Sequence, residues 1–277
     1  MSQKTFTVIG GTGKTGRRVV AQLRGHGHQA RPVSRSTDVR FDWDDADTWA
    51  SALENSEGVY IMQNDADDGT MLRGLVAQAQ RSGVKRLVLL SAREWVDLGD
   101  DVAILREQIV RQSGMEWTIL RPVWFAQNFS EEPFISDDVA AGELRVTTGD
   151  GRHPFIDAED IAAVAVAALT EPGHHGQIYE LTGPRALTFA EALAEISQAT
   201  GQQVRHVHLS DEEYLQHLTA NHYPEPVAEA VVNLARFIRE GKDARLSDGV
   251  RQALGRAPRD FSEYVRESAA ARAWSPS

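Results

Sequence analysis

Short apolar runs alternate with helix-like segments between residues 6 and 120, and this alternation constrains the fold more than any other feature of the sequence. Buried parallel strands are short, continuous apolar runs, and each crossover between parallel neighbours needs about a dozen residues, usually as a helix. The pattern predicts strands at residues 6–9, 28–33, 39–41, 59–62, 87–90 and 117–120, with helices at 15–24, 45–53, 70–82 and 102–113. We therefore predict an α/β fold built on a doubly wound parallel sheet.

A glycine-rich turn joins the first predicted strand to the first predicted helix. Its regularly spaced glycines are Gly10, Gly13 and Gly16. In a dinucleotide-binding turn, the first glycine turns the chain tightly, the second lets the backbone approach a pyrophosphate, and the third lets the helix pack on the strand. The helix N-terminus adds N–H groups and a positive dipole end for the diphosphate. The other residues of the turn that we assign to a nicotinamide dinucleotide are Thr12, Lys14 and Thr15.

A competing interpretation of this turn as a P-loop fails on spacing. Gly13, Lys14 and Thr15 match the end of that motif, which needs another glycine five residues before Gly13. Val8 stands at that position, inside the first strand. The dinucleotide interpretation is the one that fits the strand before the turn and the helix after it.

The end of the second strand bears on the choice between NAD and NADP. About 20 residues beyond the turn, a site that prefers NAD has an acidic residue on the ribose 2′-hydroxyl. This chain has Arg35 there, and a guanidinium pairs with a 2′-phosphate and stacks on adenine. Lys14 adds positive charge, so NADP(H) is favoured over NAD(H). We place Asp42 and Trp43 at the border of the adenine ring.

Composition excludes several classes of function. The 29 Lys and Arg against 40 Asp and Glu give a formal charge of −11, which disfavours nucleic-acid and membrane partners. The absence of cysteine excludes disulfides, thiolate metal sites and a cysteine nucleophile, and we expect no metal site. The longest strictly apolar run covers residues 161–169, whereas a spanning helix needs roughly 20 residues. With no leader-like segment after Met1, we expect a cytoplasmic protein with a small-molecule substrate.

The chain changes character after the last of the alternating strands. Residues 123–154 are rich in loops, a helix and a strand follow at 157–169 and 177–181, and the remainder is helical. Two capping-box patterns mark helix starts in that remainder, at Thr188–Glu191 and Ser210–Glu213. We predict a nucleotide-binding domain over residues 1–155, with 156–184 returning to the sheet. A smaller, mostly helical lobe takes residues 185–277 with parts of 123–150, and a cleft lies between them.

Several motifs follow one another in an order that extends across nearly the whole chain. They are the turn at residues 10–16, the segments 87–92, 113–122, 128–129, 155–162 and 179–184. In these motifs the sequence resembles the NmrA-like family of atypical short-chain dehydrogenases/reductases. The Gly-Lys-Thr-Gly loop and the stretch Phe41–Trp43 look most like the branch of festuclavine dehydrogenase-type iminium reductases. The resemblance implies a Rossmann-like sheet, NAD(P) binding, a role in secondary metabolism, and substrate held over the nicotinamide beneath the C-terminal lobe.

The chain departs from the superfamily at a position that matters for chemistry. Many extended members use a Tyr-x-x-x-Lys pair that precedes a helix glutamate, which here looks like Glu107. Counting back gives Ala103 at the Lys position and Gly99 at the Tyr position, and neither side chain moves a proton. Reduction of a plain ketone therefore lacks its usual acid. An iminium ion already carries positive charge, and an enone or quinone spreads the incoming charge, so such acceptors take hydride without that acid.

The remaining site residues follow the predicted strands. Ser91 comes after the strand at 87–90 and is the hydroxyl at a catalytic address, where it can hydrogen-bond substrate or cofactor. Glu94 is the nearby carboxylate with acid–base potential, and we assign catalytic roles to both residues. Further cofactor contacts are assigned to Gln63, Ser91 and Pro122. The substrate pocket is assigned to Trp95, Trp124, Phe125, Asn128 and Tyr223.

Two functions from different classes fit these observations. The first is an NAD(P)H-dependent reductase that delivers hydride to an iminium, enone or quinone-type metabolite. The second is a catalytically silent NADP(H) sensor that binds a protein partner, as regulatory members of the NmrA-like family do. The absence of the Tyr–Lys pair increases the support for the sensor function. An isomerase or cyclase with a retained nucleotide is a third, less favoured interpretation.

Overall fold

The computed structural model describes residues 3–64 and 66–274. Its strands are β1 (Thr5–Ile9), β2 (Gln29–Val33), β3 (Gly58–Met62), β4 (Arg86–Leu90), β5 (Glu116–Pro122), β6 (Glu143–Val146), β7 (Arg152–His153), β8 (Gln177–Leu181), β9 (Leu187–Thr188) and β10 (Arg205–His208). Its helices are α1 (Lys14–Gly25), α2 (Trp49–Leu53), α3 (Thr70–Arg81), α4 (Arg93–Asp97), α5 (Asp101–Arg111), α6 (Asn128–Glu131), α7 (Pro133–Ala140), α8 (Ala158–Thr170), α9 (Phe189–Thr200), α10 (Asp211–Ala220), α11 (Glu225–Arg239), α12 (Gly249–Leu254) and α13 (Phe261–Ala270).

The first compact unit, which we call the sheet unit, contains the described residues up to Val123 together with Ala158–Leu181 and Asp248–Ala257. Its six strands are all parallel, in the order β2-β1-β3-β4-β5-β8. Helices α1 and α8 pack together and α8 covers β3, β4 and β5, while α3 packs against α2 and α5. The prediction of an α/β fold with a doubly wound parallel sheet is confirmed.

One predicted strand of the sheet is wrong. Residues 39–41 form no strand, and a bridge pairs Arg40 with Ser34, the residue that follows β2. The short apolar run has another cause, because Phe41 is buried in the core beside Trp49 and so anchors a loop. The sixth strand of the sheet is β8, which pairs with β5.

The second unit contains Trp124–Asp157, Thr182–Ser247 and the described residues from Pro258 onward. Two small sheets, β10-β6 and β7-β9, accompany helices α6, α7, α9, α10, α11 and α13. Its core contains four phenylalanines whose neighbouring rings lie 5.2–5.8 Å apart, namely Phe129, Phe155, Phe189 and Phe261. Both predicted capping boxes are present, and a third, at Asp260 and Glu263, opens α13. Across the described residues, no helix combines the length and apolar character that crossing a bilayer requires.

We expect two histidines, the buried His174 and the half-buried His206, to make the stability of the fold depend on pH. Burial lowers the pKa of His174, whose Nδ1 lies 2.9 Å from the Tyr179 hydroxyl, and also lowers the pKa of His206. A histidine with a lowered pKa in the folded state binds its proton more readily when unfolded. Its contribution to stability is therefore complete above about pH 6.5, the usual histidine value, and is lost as the pH falls below it.

We expect the urea concentration at the midpoint of unfolding to decrease as the pH is lowered from about 6.5 to about 5. Arginines hold the pKa of Asp211 and of Asp260 below the usual value, so the contribution of these carboxylates to stability is lost only at lower pH. His174→Gln should flatten the dependence in the histidine window, and His26→Gln, at an exposed position, is the matched control. A pH-independent midpoint in the parent protein would contradict this assignment.

Candidate cofactor site

The glycine turn of the sheet unit has the geometry that its sequence predicts. Gly10 has a φ of +70°, and its carbonyl accepts a hydrogen bond from the Gly13 N–H at 2.9 Å. A Cβ on Gly16 would lie 2.1 Å from the Gly10 carbonyl oxygen. Glycine at position 10 therefore supplies the left-handed conformation, and glycine at position 16 lets α1 pack directly on the turn.

Gly13 differs from the other two glycines because a Cβ there would be less crowded by the protein. A Cβ there would lie 3.3 Å from the Gly10 oxygen and 3.6 Å from the Met62 sulfur, and Gly13 is extended, with φ −77° and ψ 179°. A Cβ at position 13 needs a smaller adjustment of the turn than one at position 16, and the missing side chain leaves a surface that a ligand can approach. Gly13 also precedes α1 without a side-chain cap, and the first turn of α1 has no acidic residue. These features suit an anion.

The other assigned residues of the turn separate into inward and outward positions. Thr15 is buried, and its hydroxyl accepts a hydrogen bond from the Tyr60 hydroxyl at 2.8 Å. Burial raises the pKa of Tyr60, so this tyrosine keeps its proton and remains the donor. The Thr15 side chain is therefore turned inward, towards Tyr60. Thr12 is exposed and Lys14 is half-buried, so both side chains reach solvent.

Arg35 lies in the loop that follows β2. The loop is held by hydrogen bonds from the Ser34 N–H to the Thr37 hydroxyl, at 2.7 Å, and from the Thr37 hydroxyl to the Ser34 carbonyl, at 3.1 Å. The Arg35 side chain is exposed, and among the described residues it has no hydrogen-bond or ion-pair partner. The guanidinium is thus available to an anionic ligand, as its position in the sequence predicts.

Asp42 and Trp43 lie just beyond that loop. The Asp42 carboxylate accepts a hydrogen bond from Arg40 at 2.9 Å, and this bond, with a second from the Asp44 N–H, lowers its pKa. Trp43 is half-buried and packs edge-on against Phe41, with ring centroids 5.2 Å apart. Asp42 is therefore ionised and engaged, and Trp43 presents only part of its ring to solvent. Their place beside adenine stays a prediction.

At the end of β3, Met62 lies next to the glycine turn, and Gln63 has a polar atom without a hydrogen-bond partner in the described part of the chain. The Gln63 side-chain N–H donates to the Leu90 carbonyl at 2.7 Å, while its Oε1 is buried and has no hydrogen-bond partner in the described part of the chain. An unpaired buried acceptor is costly, and it suits a ligand donor. Met62 is 39% exposed, and its sulfur would lie 2.7 Å from a Cβ on Gly10. Met62 was not among the assigned residues, although ligands of α/β sheets bind at the carboxyl ends of strands.

Ser91 belongs to a charged network at the ends of β4 and β5. Its hydroxyl donates to Glu107 Oε1 at 2.7 Å, and its N–H donates to the Leu120 carbonyl at 2.8 Å. Arg121 donates to both Glu107 oxygens, from Nε at 2.8 Å and from Nη2 at 2.5 Å. Ser91 and Glu107 are buried and Arg121 is half-buried, with Pro122 buried at the end of β5. From the sequence, Glu107 served only to locate the Tyr and Lys positions, and this network was not predicted.

The segment after Ser91 contains the other assigned residues of the sheet unit. Glu94 is buried in α4, and Trp95 is half-buried. Gly99 is exposed in the turn after α4 with a φ of +76°, and Ala103 lies in the first turn of α5, where its N–H donates to Asp100. Neither Gly99 nor Ala103 offers a side chain for proton transfer.

Trp124, an assigned residue of the second unit, packs against the core of that unit. Trp124 lies against Phe189, with ring centroids 5.1 Å apart, and its N–H donates to His153 Nε2 at 3.1 Å. His153 Nδ1 is 2.7 Å from an Asp243 carboxylate oxygen, and both side chains are fully buried. Because Nε2 accepts a hydrogen bond, the proton of neutral His153 is on Nδ1, facing Asp243. This buried pair fixes the backbone at Trp124 and was missed from sequence.

The other assigned residues of the second unit are half-buried. Phe125 forms a bridge with Ile156, and Asn128 begins α6. The Tyr223 hydroxyl donates to Glu132 Oε1 at 2.6 Å, and burial together with this carboxylate raises the pKa of Tyr223. Tyr223 therefore holds its proton at neutral pH. The structure brings Trp124 and Tyr223 to one hydrophobic core, against which both side chains pack.

A model of the NmrA-like family matches residues 2–265 of the chain. The chain belongs to the NmrA-like family. Three relatives are similar over almost their full lengths. A (4-alkanoyl-5-oxo-2,5-dihydrofuran-3-yl)methyl phosphate reductase of Streptomyces griseus is 35% identical, covering 95% of this chain and 98% of the relative. An NAD(P)H azoreductase of Xenophilus azovorans is 32% identical with the same coverage. A festuclavine dehydrogenase of Aspergillus fumigatus is 29% identical, covering 96% and 98%.

These similarities confirm the resemblance to the NmrA-like family and to its festuclavine dehydrogenase branch. They also confirm the prediction that this NmrA-like protein is an NAD(P)H-dependent oxidoreductase. The cofactor is accordingly a nicotinamide dinucleotide. The residues that fit such a group are the side-chain-free surface at Gly13 and the unpaired acceptor of Gln63, both in the sheet unit.

Proposed function

We propose that this protein is an NADPH-dependent reductase of an activated small-molecule acceptor, an iminium ion, enone or quinone, and that it uses no Tyr–Lys proton donor. The observation that carries the proposal is the hydrogen bond from Ser91 to Glu107. A carboxylate paired with Arg121 accepts protons in hydrogen bonds but does not donate them, so the single Ser91 proton is committed to Glu107. The Ser91 hydroxyl, which follows β4, therefore acts as a hydrogen-bond acceptor towards a ligand and not as a general acid.

The relatives support an electron-poor acceptor as the substrate class. The relative from Streptomyces griseus is named as a reductase of a (4-alkanoyl-5-oxo-2,5-dihydrofuran-3-yl)methyl phosphate, whose ring double bond is conjugated with two carbonyl groups. Such a system spreads the charge of an added hydride, which removes the need for immediate protonation by the protein. The festuclavine dehydrogenase relative supports a role in secondary metabolism. The net charge of −11 favours a small molecule over nucleic acid or membrane as partner, and we propose a cytoplasmic setting for the reaction.

We assign the cofactor to the sheet unit. Bound NADPH supplies the hydride, and the chain contributes the Gly10–Gly16 turn for the pyrophosphate and Arg35 for the 2′-phosphate. Gln63 and Ser91 offer acceptors at the ends of β3 and β4. The residues proposed to contact substrate are Trp95 in the sheet unit and, in the second unit, Trp124, Phe125, Asn128 and Tyr223. Holding the reacting carbon against a hydride donor is worth about 7–11 kcal/mol, which suffices for an activated acceptor.

We expect turnover with preformed iminium ions or extended enones and little with simple aliphatic ketones. Ser91→Ala should lower kcat by about tenfold or less, because one neutral hydrogen bond contributes about 0.5–1.5 kcal/mol. NADPH consumption, followed by its absorbance over a panel of acceptors, measures both effects. Brisk reduction of a plain ketone, or a thousandfold loss in Ser91→Ala, would reveal a general acid, with Glu94 the first suspect. Tight NADPH binding without turnover of any acceptor would favour the sensor function instead.

A further inference from the structure

We propose that Glu107 and Arg121 are positioning residues that orient Ser91 as a hydrogen-bond acceptor for an N–H or O–H donor of the bound ligand. This inference rests on the proposed reductase function. The three residues come from three elements, since Ser91 follows β4, Glu107 lies in α5 and Arg121 lies in β5. Their contacts join the carboxyl ends of two neighbouring strands to the helix that packs on them.

The orientation of the Ser91 hydroxyl follows from charge. Arg121 contacts Glu107 through two parallel N–H bonds, the bidentate geometry that a guanidinium and a carboxylate prefer. The same contact raises the pKa of Arg121. A carboxylate that accepts two N–H bonds from a guanidinium offers no proton of its own, so Ser91 must donate to it. Both lone pairs of the Ser91 oxygen then remain available to a ligand donor.

A neutral amide at position 107 changes this orientation without removing much volume. In Glu107→Gln the side chain offers N–H groups as well as an oxygen, so the Ser91 proton is no longer committed in one direction. Ser91 then presents its proton to the ligand part of the time, and a ligand donor meets another donor. The expected loss is that of the Ser91 acceptor itself, about tenfold or less in kcat/KM or in affinity.

A double-mutant cycle tests whether Glu107 acts through Ser91. The variants are Ser91→Ala, Glu107→Gln and the double variant, each measured for the Kd of NADPH by calorimetry and for kcat and KM with an enone acceptor. We expect each single variant to lose a similar factor and the double variant to match Ser91→Ala within about twofold. A loss in the Kd of NADPH identifies the donor as part of the cofactor, and a loss confined to the acceptor's KM identifies it as part of the substrate.

The control replaces another buried carboxylate that is paired with arginine in the same unit. Asp160 is fully buried in α8 and lies 2.7 Å from Arg256, so Asp160→Asn removes a comparable charge. Because Asp160 does not act through Ser91, Asp160→Asn should change kcat and KM by no larger a factor in the parent than in the Ser91→Ala background. Glu107→Asp keeps the charge but withdraws it from Ser91, and it replaces Glu107→Gln if that variant fails to fold. Ser91→Thr, which keeps a hydroxyl, should retain most activity.

Two different results separate the inference from the function on which it rests. Multiplicative losses from Ser91→Ala and Glu107→Gln, or parent-like kinetics in Glu107→Gln, would overturn the positioning role while leaving the reductase intact. Absence of NADPH binding and turnover in the parent protein would overturn the proposed function itself. Glu107→Gln with lower thermal stability but unchanged Kd, kcat and KM would show a purely structural ion pair and also overturn the inference.

Discussion

A Gly13→Val variant should bind NADPH at least a hundredfold more weakly than the parent while it keeps its fold. The fold survives because position 13 is extended, with φ −77° and ψ 179°, a conformation that β-branched residues adopt readily. A Cβ there lies no closer than 3.3 Å to the Gly10 oxygen and so needs only a small adjustment. The added methyl groups occupy the surface that a pyrophosphate must approach. Calorimetry with NADPH and circular dichroism against temperature measure the two effects separately.

Two companion variants make this result specific. Gly13→Ala adds a single carbon and should weaken binding less than Gly13→Val. Gly16→Val should instead lower the melting temperature strongly, since its Cβ would lie 2.1 Å from the Gly10 oxygen and would force α1 off the turn. If Gly13→Val still bound NADPH within tenfold of the parent, the turn would not be the site of the pyrophosphate.

Features that depend on residues close together in the sequence are predicted more accurately than features that depend on distant residues. The glycine turn lies within seven residues, so its conformation and the start of α1 are encoded locally and were predicted. Strand β8 was predicted at 177–181, but its pairing with β5 spans a gap of more than fifty residues and follows only from the tertiary fold. The run at 39–41 was predicted as a further strand and is not one. That run is apolar because Phe41 packs in the core, which periodicity does not distinguish from a strand.

The site shows the same limit at the level of side chains. The sequence places Ser91 after a strand, but its partners Glu107 and Arg121 lie 16 and 30 positions further on. Only the parallel pairing of β4 with β5, and the packing of α5 on both, brings them together. Thr15 illustrates the opposite case, where a residue of the motif turns inward because Tyr60 offers it a buried partner. Local pattern identifies the motif, and tertiary packing decides which of its side chains face a ligand.

Arg35→Asp should weaken NADPH binding by tenfold or more and leave NADH binding little changed or improved. The guanidinium is exposed, and among the described residues it interacts with Asp42 only through the Coulomb field, without a hydrogen bond or ion pair, so an added 2′-phosphate need not displace an existing ion pair. Hydrogen bonds to charged groups contribute about 1.5–3 kcal/mol, which corresponds to roughly ten- to more than hundredfold in affinity. An aspartate there repels the phosphate and offers the ribose 2′-hydroxyl of NADH an acceptor instead.

Salt and a matched charge change distinguish direct pairing from the general field of the protein. In the parent, NADPH should bind more tightly than NADH, and the difference should shrink as ionic strength rises, because exposed charges are screened over about 10 Å at 0.1 M salt. Arg24→Asp makes the same charge change at an exposed position near the far end of α1, and it should leave the preference intact. Equal affinities for the two cofactors in the parent, or equal effects of the two substitutions, would mean that Arg35 does not select the 2′-phosphate.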